Sequence, residues 1–582
     1  MAPSVRLDNL TPEAPTSLEF AGPFGVVSAT DPADVVGVLE EVEQAAAGGL
    51  WAAGFLSYEA APAFDLAFRV RPPDGGVAGS CPLAWFAIFA ERRFVPTPRA
   101  EGTYALDPWE PTVTAADYAA AVADIRERIA AGDTYQDNYS LRLRSRLTGD
   151  PRSFYADLAR AQRGAWSAYV DTGPLVVASA SPELFFAMEG NHLTSRPMKG
   201  TAPRGRWAAE DRDQADRLAR SAKERAENLM IVDLIRNDMG RVASVGSVAV
   251  PALFEAEQYD TLWQMTSTVE CRLREGMRLA DVFAALFPCG SVTGAPKVST
   301  MEIIAGLETS PRGPYCGAIG YLAPGGRRAA FNVAIRTAVI DTASGEAEYG
   351  TGGGVTWDST AEAEHAEAFV KAKVLTERRP SFDLLETLRH DEAGYWGLGR
   401  HLARLHESAV YFGFNHHNAD VHGALERAAA ASGDVPSRVR LTLSEDGIAN
   451  ATVTPLEPGP EPVRLATDHV PVDPADPLLY HKTTYRARYE ERLGRHPGAD
   501  DVVLVNPAGE VTETTVGNIV ALIDGTWCTP PLDCGCLPGV FRERLLAEGG
   551  AVERRLTPAD LRAAEGLAVV NSVRLWRRAV LL

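Results

Sequence analysis

Pro380 constrains this chain more than any other residue. It ends a stretch of helical spacing, Leu375-Thr-Glu-Arg-Arg-Pro380, and precedes a strand-like run, Phe382-Asp-Leu-Leu-Glu-Thr-Leu-Arg389. A proline cannot continue a helix, and it pushes its neighbour Arg379 towards extended geometry. The architecture has to change there. At 582 residues the chain is also too long for one ordinary core. We read a first module over residues 1–376, a linker over 377–381 and a second module over 382–582. A proline-rich seam at 457–475 interrupts the second module.

Composition narrows the function classes. Hydrophobic residues make up 46% and charged residues 23%, as expected for a globular protein. With 57 basic and 77 acidic residues the net charge is −20. That argues against a phosphate-backbone binder and against a basic membrane-surface patch. Small anionic substrates need only a local cluster of Arg and Lys and stay open. No run approaches the roughly 20 apolar residues that span a bilayer, and Met1-Ala-Pro-Ser-Val-Arg-Leu-Asp8 has no signal pattern. The seven cysteines are odd in number and scattered, and Cys534-Gly-Cys536 lacks a second pair. Reduced thiols in a cytoplasmic enzyme are the plain expectation.

Strand-like runs fall at 79–95 and 166–187, and a helix is expected over 114–131 with Thr114 as its cap. Residues 221–237 read as another helix, which projects Glu224 and Glu227 from one face. Residues 361–373 form a third, with Glu364, Glu367 and Lys371 in one stripe. Hard oxygen ligands on two facing helices suit a magnesium ion that keeps several waters. Ser221-x-x-Glu224 is equally a capping box, and Glu/Lys stripes are equally solvated surface. Two glycine-bearing turns are expected between these helices. Arg196-Pro-Met-Lys-Gly-Thr-Ala-Pro-Arg-Gly205 sets Lys199 between two arginines, and nearby cations disfavour its protonation. An ordinary lysine, with a pKa of about 10.4, is neutral in well under one part in a thousand at pH 7. Gly350-Thr-Gly-Gly-Gly354 would let a backbone approach a carboxylate, and it lacks the ending of a phosphate-binding loop.

Together these segments resemble the chorismate-utilising enzymes. The likeness runs in order over about residues 115–375. It is carried by Ala131-Gly-Asp-Thr-Tyr-Gln-Asp-Asn138, Ser181-Pro-Glu-Leu-Phe185, Pro197-Met-Lys-Gly-Thr201 and Glu227-Asn-Leu-Met-Ile-Val-Asp-Leu-Ile-Arg-Asn-Asp238. Phe287-Pro-Cys-Gly-Ser-Val-Thr-Gly-Ala-Pro-Lys297, Tyr315-Cys-Gly-Ala-Ile-Gly-Tyr321 and the Gly350 segment continue it, and Gly54-Phe-Leu-Ser-Tyr-Glu59 resembles the family's N-terminal strand. The resemblance implies a large α/β (α+β) sandwich with a magnesium-dependent site, Glu227 and Glu367 as ligands, and Glu224 and Glu364 as alternates. It implies chorismate contacts at Thr201, Tyr315, Arg336, Gly352, Gly353 and Lys371. Lys199 marks the aminodeoxychorismate-forming branch, in which it attacks C2 of chorismate as the C4 hydroxyl leaves, and ammonia then adds at C4 and expels the lysine. Glu183 is its implied acid–base partner. Gln136 stands where isochorismate-type enzymes carry a water-activating lysine, and Gln264 where anthranilate synthases usually have a histidine. No glutaminase-like segment is seen, so ammonia is expected from a separate amidotransferase subunit or from solution.

The second module has its own lysine. His401-Leu-Ala-Arg-Leu405 reads as helical, Tyr480-His-Lys-Thr-Thr484 puts Lys482 at a strand end, and Glu510-Val-Thr-Glu-Thr-Thr-Val-Gly-Asn518 follows a strand. Leu537-Pro-Gly-Val-Phe-Arg542 opens a helix whose first N–H groups suit a phosphate. In this order they resemble the fold-type IV pyridoxal-phosphate enzymes, which include branched-chain and D-amino-acid aminotransferases and aminodeoxychorismate lyase. The resemblance implies pyridoxal phosphate on Lys482, Glu513 at its ring nitrogen, and Arg404, Gly539, Val540 and Ser572 at its phosphate, with a homodimer through this domain. Asn571-Ser-Val-Arg574 resembles the lyase subgroup, except that Leu575 stands where glycine is common. A synthase followed by a lyase would run consecutive steps to 4-aminobenzoate, the folate precursor. An aminotransferase or a non-catalytic second module is the alternative.

Overall fold

The computed structural model describes residues 2–11, 15–73, 75–376, 380–432 and 435–582. Residues 377–379 of the expected linker lie outside them. The chain packs into two compact units, Met1–Pro203 with Ala215–Arg379, and Arg204–Gln214 with Pro380–Leu582. Among the described residues no helix is long and apolar enough to cross a membrane.

The first unit is built on two antiparallel sheets, of eleven and ten strands among the described residues. Their inner faces share an apolar core. Val5, Phe20, Val170 and Val177 from one sheet meet Phe55, Trp85, Phe89 and Ile319 from the other, all buried. Each such side chain contributes about 1.5–3 kcal/mol by leaving water. The expected helices form as Ala115–Ala131, Ala222–Gly240 and Ala361–Ala372. Thr114 caps the first through a complete capping box with Asp117, and left-handed Gly132 stops it.

Two expected turns are strands. Residues 350–354 lie inside the strand Glu346–Val355, paired along its length with Gln136–Gly149. The glycines serve close approach: a Cβ on Gly352 would lie 2.1 Å from the Tyr139 carbonyl oxygen, and one on Gly350 would lie 2.3 Å from the Tyr315 ring. Met198–Pro203 is likewise a strand, paired with Leu262–Arg272.

The second unit holds a four-stranded antiparallel sheet and an eight-stranded mixed sheet among its described residues. Helices Leu398–Phe412 and Asn418–Ser432 bury Leu405, Ala409, Val421 and Leu425 against the smaller sheet. Lys482 is not at a strand end. It lies in an extended stretch where its carbonyl accepts the Leu385 amide at 2.9 Å and Thr483 bridges Leu384.

Candidate active sites

In the first unit, a polar cavity of about 180 Å³ gathers Glu183, Lys199, Thr201, Glu224, Glu227, Gln264, Tyr315, Arg336, Gly352, Glu364, Glu367 and Lys371. A β-bulge aims Lys199 into it. The register with the neighbouring strand slips between Met198 and Thr201, where Gly200 takes a φ of 96°. Across the cavity, a Cβ on Gly354 would lie 2.9 Å from Lys199 Nζ and 2.3 Å from Gln136 Nε2. Gln136 is fully buried, and neither end of its amide has a partner. Gly353 faces side chains that line the cavity. Its missing Cβ makes room for Glu364 Oε2 and Lys371 Nζ.

Burial lowers Lys199 from the ordinary lysine value, and Lys371 lowers it further, against the pull of Glu227, Glu183 and Glu367. The two sequence-neighbouring arginines are not the cause. Arg196 pairs with Glu257, and Arg204 is bound to Asp211 in the second unit. Glu183, buried with Oε1 unpartnered, rises to about 7 through desolvation. It is therefore able to hold or release a proton near neutrality.

The carboxylates of the two helices meet here. Ser221 does accept the Glu224 amide, but the Glu224 carboxylate lines the cavity instead of returning to the cap. Burial raises Glu224, Glu227 and Glu364, and repulsion from Glu367 adds to it in each, with Glu224 also raising Glu227. Glu367 behaves differently: Lys371, at 2.8 Å, holds it low. Among the described residues no three acidic, His or Cys side chains converge as a ready-made metal cage. The donors nevertheless fit magnesium, which binds through one or two carboxylates and keeps its waters.

Among the other implied contacts, Thr201 Oγ1 donates to Gln264 at 3.3 Å, and the Tyr315 hydroxyl lies 3.2 Å from Ser140 Oγ. Arg336 takes a left-handed φ of 52° and donates to Gln162 and to the Lys371 carbonyl. Lys371 also donates to the Gly352 carbonyl at 2.9 Å.

In the second unit, desolvation and the nearby Arg404 and Arg486 bring Lys482 down to about 8, opposed by Glu386 and Glu513. Glu513, on the strand Val511–Thr514, accepts the Tyr489 hydroxyl at 3.2 Å and the Leu537 amide at 3.1 Å. Burial outweighs these bonds and lifts it to about 7. Arg404 is less free than its implied role suggests. Its Nε and Nη2 donate to the two oxygens of Glu386 at 2.8 and 2.7 Å, and Nη1 donates to the Pro538 carbonyl. Two of its five N–H groups remain. His401 lies 2.6 Å from the same carboxylate. Burial raises Glu386, but these two partners outweigh it and bring the group to about 2.

The Gly539 amide turns back to the Leu537 carbonyl at 2.8 Å, so of the two implied amides only that of Val540 keeps its expected freedom. Gly539 packs closely on Asn518, where a Cβ would lie 1.9 Å from Asn518 Oδ1. Ser572 is buried just beyond the strand Gly566–Asn571. A lysine with a lowered pKa, a braced carboxylate and these residual donors fit pyridoxal phosphate. Leu575 sits at a φ of 58°, which explains physically why glycine suits that position.

Sequence reasoning missed Glu386 and Tyr489, the residues that brace Arg404 and Glu513. Asn138 and Ser291, also on the first cavity's wall, lay inside recognised motifs without being singled out. The seven cysteines are buried and free, and a larger groove of about 510 Å³ between helix Asn418–Ser432 and strand Ala449–Pro455 gathers no comparable chemistry.

Residues 13–377 match the chorismate binding enzyme family and residues 383–582 match amino-transferase class IV. The chain is 42% identical over 263 residues to aminodeoxychorismate synthase component 1 of Salmonella typhimurium, covering 45% of this chain and 57% of that one. It is 41% identical over 258 residues to anthranilate synthase component 1 of Thermus thermophilus, covering 44% and 55%. This chain thus spans a little over half the length of these curated relatives. Among solved structures, anthranilate synthase component I from Streptococcus pneumoniae aligns with a TM-score of 0.54 at 25% identity, covering 62% of this chain and 92% of that one. The chain belongs to the chorismate binding enzymes, and an amino-transferase class IV segment follows in the same polypeptide.

Proposed function

We propose that this chain makes 4-aminobenzoate from chorismate in two steps, amination to 4-amino-4-deoxychorismate by residues 1–376 and elimination of pyruvate by residues 382–582. The observation that carries the reading is Lys199, aimed by its bulge into a carboxylate-lined cavity and lowered in pKa by burial and Lys371. Relatives of similar identity carry two different names, aminodeoxychorismate and anthranilate synthase, so overall identity does not choose the product. Lys199 and Gln264 favour the former. The neutral Lys199 amine attacks C2, the C4 hydroxyl departs with a proton from Glu183, and ammonia enters at C4 as the C2–N bond breaks. Lys371 and Arg336 offer cations to the substrate carboxylates. Magnesium, held by Glu227 and Glu367 with Glu224 and Glu364 beside them, would supply positive charge to the anionic substrate. Ammonia comes from a separate glutamine amidotransferase subunit in this reading, and the setting is cytoplasmic folate synthesis.

In the second step Lys482 takes the C4 proton and pyruvate leaves from C3, which makes the ring aromatic. Pyridoxal phosphate, when bound at Lys482, supplies the electron sink. Glu513 would hold its ring nitrogen, while Arg404, the Val540 amide and Ser572 would hold its phosphate. A homodimer through the second unit belongs to the same reading. The test is incubation with chorismate, magnesium, ammonium and pyridoxal phosphate, with the aromatic product identified by chromatography. 4-Aminobenzoate supports the proposal, whereas anthranilate overturns the first step. Aminodeoxychorismate that accumulates beside active turnover of branched-chain or D-amino acids overturns the second.

A further inference from the structure

The second unit contains a piece of chain that begins only five residues after Lys199. Residues Arg204–Gln214 pack with Pro380–Leu582 although they interrupt the sequence of the first unit. The loop is tightly built. Arg204 donates to both oxygens of Asp211 at 2.8–3.1 Å, and each side chain is 6% exposed. The Gly205 amide donates to the same carboxylate at 2.8 Å, and no Cβ fits at Gly205, where it would lie 2.1 Å from the Asp211 nitrogen. A buried ion pair is a weak source of stability, but it fixes geometry.

That geometry grips two elements of the candidate cofactor site. Arg204 stacks 4.3 Å above the Tyr411 ring and donates to the Tyr411 carbonyl at 2.9 Å, while the Tyr411 hydroxyl donates to the Gly205 carbonyl at 2.8 Å. Tyr411 lies seven residues after Arg404 on the same helix, and its ring rests 4.3 Å from that of His481. Trp207 packs on Tyr480, with ring centroids 5.0 Å apart, and Arg206 Nη1 lies 3.4 Å from the Tyr480 hydroxyl. Tyr480 and His481 are the two residues before Lys482. The loop therefore holds both the stretch that carries Lys482 and the helix that carries Arg404.

We infer that residues 204–211 are a positioning element for Lys482, acting through Trp207 on Tyr480 and through Arg204 on Tyr411 and His481. The inference rests on the reading of Lys482 as the cofactor lysine. It assigns part of the second unit's site to a segment outside residues 383–582, the span matched to amino-transferase class IV.

The test uses the full-length protein as wild type, Trp207→Ala, Trp207→Phe and a stability control, Leu561→Ala, which thins an apolar core elsewhere in the unit. Each is titrated with pyridoxal phosphate and its visible absorbance followed against pH, beside the kinetics of pyruvate release and thermal unfolding. A displacement of order 1 Å can cost up to a hundredfold in rate. Trp207→Ala should lower kcat for pyruvate release about tenfold with KM little changed, weaken cofactor binding several-fold and move the pH midpoint of the absorbance band, and Trp207→Phe should restore most of each. Leu561→Ala should lower the unfolding temperature without moving that midpoint. A Trp207→Ala protein with the wild-type midpoint and kcat, or one that changes only as Leu561→Ala does, overturns the inference. A wild-type protein that forms no band with pyridoxal phosphate overturns instead the reading of Lys482 on which it stands.

Discussion

The two candidate sites treat buried carboxylates in opposite ways. In the second unit each is finished by its own chain: Glu386 is bonded by Arg404 and His401, and Glu513 by Tyr489 and the Leu537 amide. In the first unit Glu224, Glu227 and Glu364 stay raised by burial and by repulsion from Glu367, although Lys223 lies 3.9 Å from Glu227 and Ser359 donates to Glu364, while Glu367 is held low by Lys371 at 2.8 Å. Like charges left together in a shielded cavity favour a cation brought from outside. The second site is prepared for its ligand by hydrogen bonds, and the first by an excess of negative charge. A site of the first kind should depend on metal and ionic conditions, and a site of the second kind on the integrity of its bracing contacts.

The largest expected effects come from the two lysines. Lys199→Ala should remove chorismate amination by a factor on the order of a thousand or more and leave pyruvate release from supplied aminodeoxychorismate intact, while Lys482→Ala should do the reverse. Unchanged aminodeoxychorismate formation in Lys199→Ala, or 4-aminobenzoate release by purified Lys482→Ala, would erase the division of labour. Next come Glu227→Gln and Glu367→Gln, each expected to cut amination about 10- to 100-fold and to raise the magnesium concentration needed for half activity. Wild-type magnesium titrations in both variants would show that the first site is not completed by a cation.

Stability offers a smaller and independent contrast. Lys482 has its pKa lowered from 10.5 to about 8, so between those values the unfolded chain binds the extra proton. Lys482 itself therefore adds stability to the cofactor-free second unit as pH rises from 8 to 10.5, so the advantage of Lys482→Met over wild type, up to about 3 kcal/mol at pH 7, should shrink away over that range. Chemical denaturation across that range checks it, and parallel pH profiles for the two proteins would contradict the assigned burial cost. The smallest effect is at Leu575, whose left-handed backbone costs about 1–2 kcal/mol. Leu575→Gly removes that strain but adds chain entropy, so the net gain should stay within about 1 kcal/mol. A clear loss in the melting temperature would mean that the leucine side chain is held by packing worth more than the strain.

Much of both sites was legible because their residues sit in short segments with local spacing. Glu224 and Glu227 share a face by helical periodicity, and Thr114 announces its helix by a capping pattern. The Gly350 segment was misread for a physical reason: a glycine run has turn propensity, and only the neighbouring strand Gln136–Gly149 and the Tyr315 ring reveal that these glycines make room in a sheet. The cations that depress Lys199 were likewise assigned by sequence proximity, yet Lys371, 172 residues away, is the one that acts. Glu386 and Tyr489 escaped notice because a brace is defined by what it touches, and nothing along the chain marks that contact.

The loop around Trp207 has a consequence for how this polypeptide is made. Its partners Tyr411 and Tyr480 leave the ribosome roughly 200–270 residues after it, which at about 5–20 residues per second is roughly 10–50 s. Through that interval the first unit can close while the loop, with its indole ring and its Arg204–Asp211 pair, waits for the rest of its own unit. The second unit cannot complete its packing from its contiguous residues alone. A boundary drawn at Pro380 marks where one motif series ends, but assembly joins the chain across it.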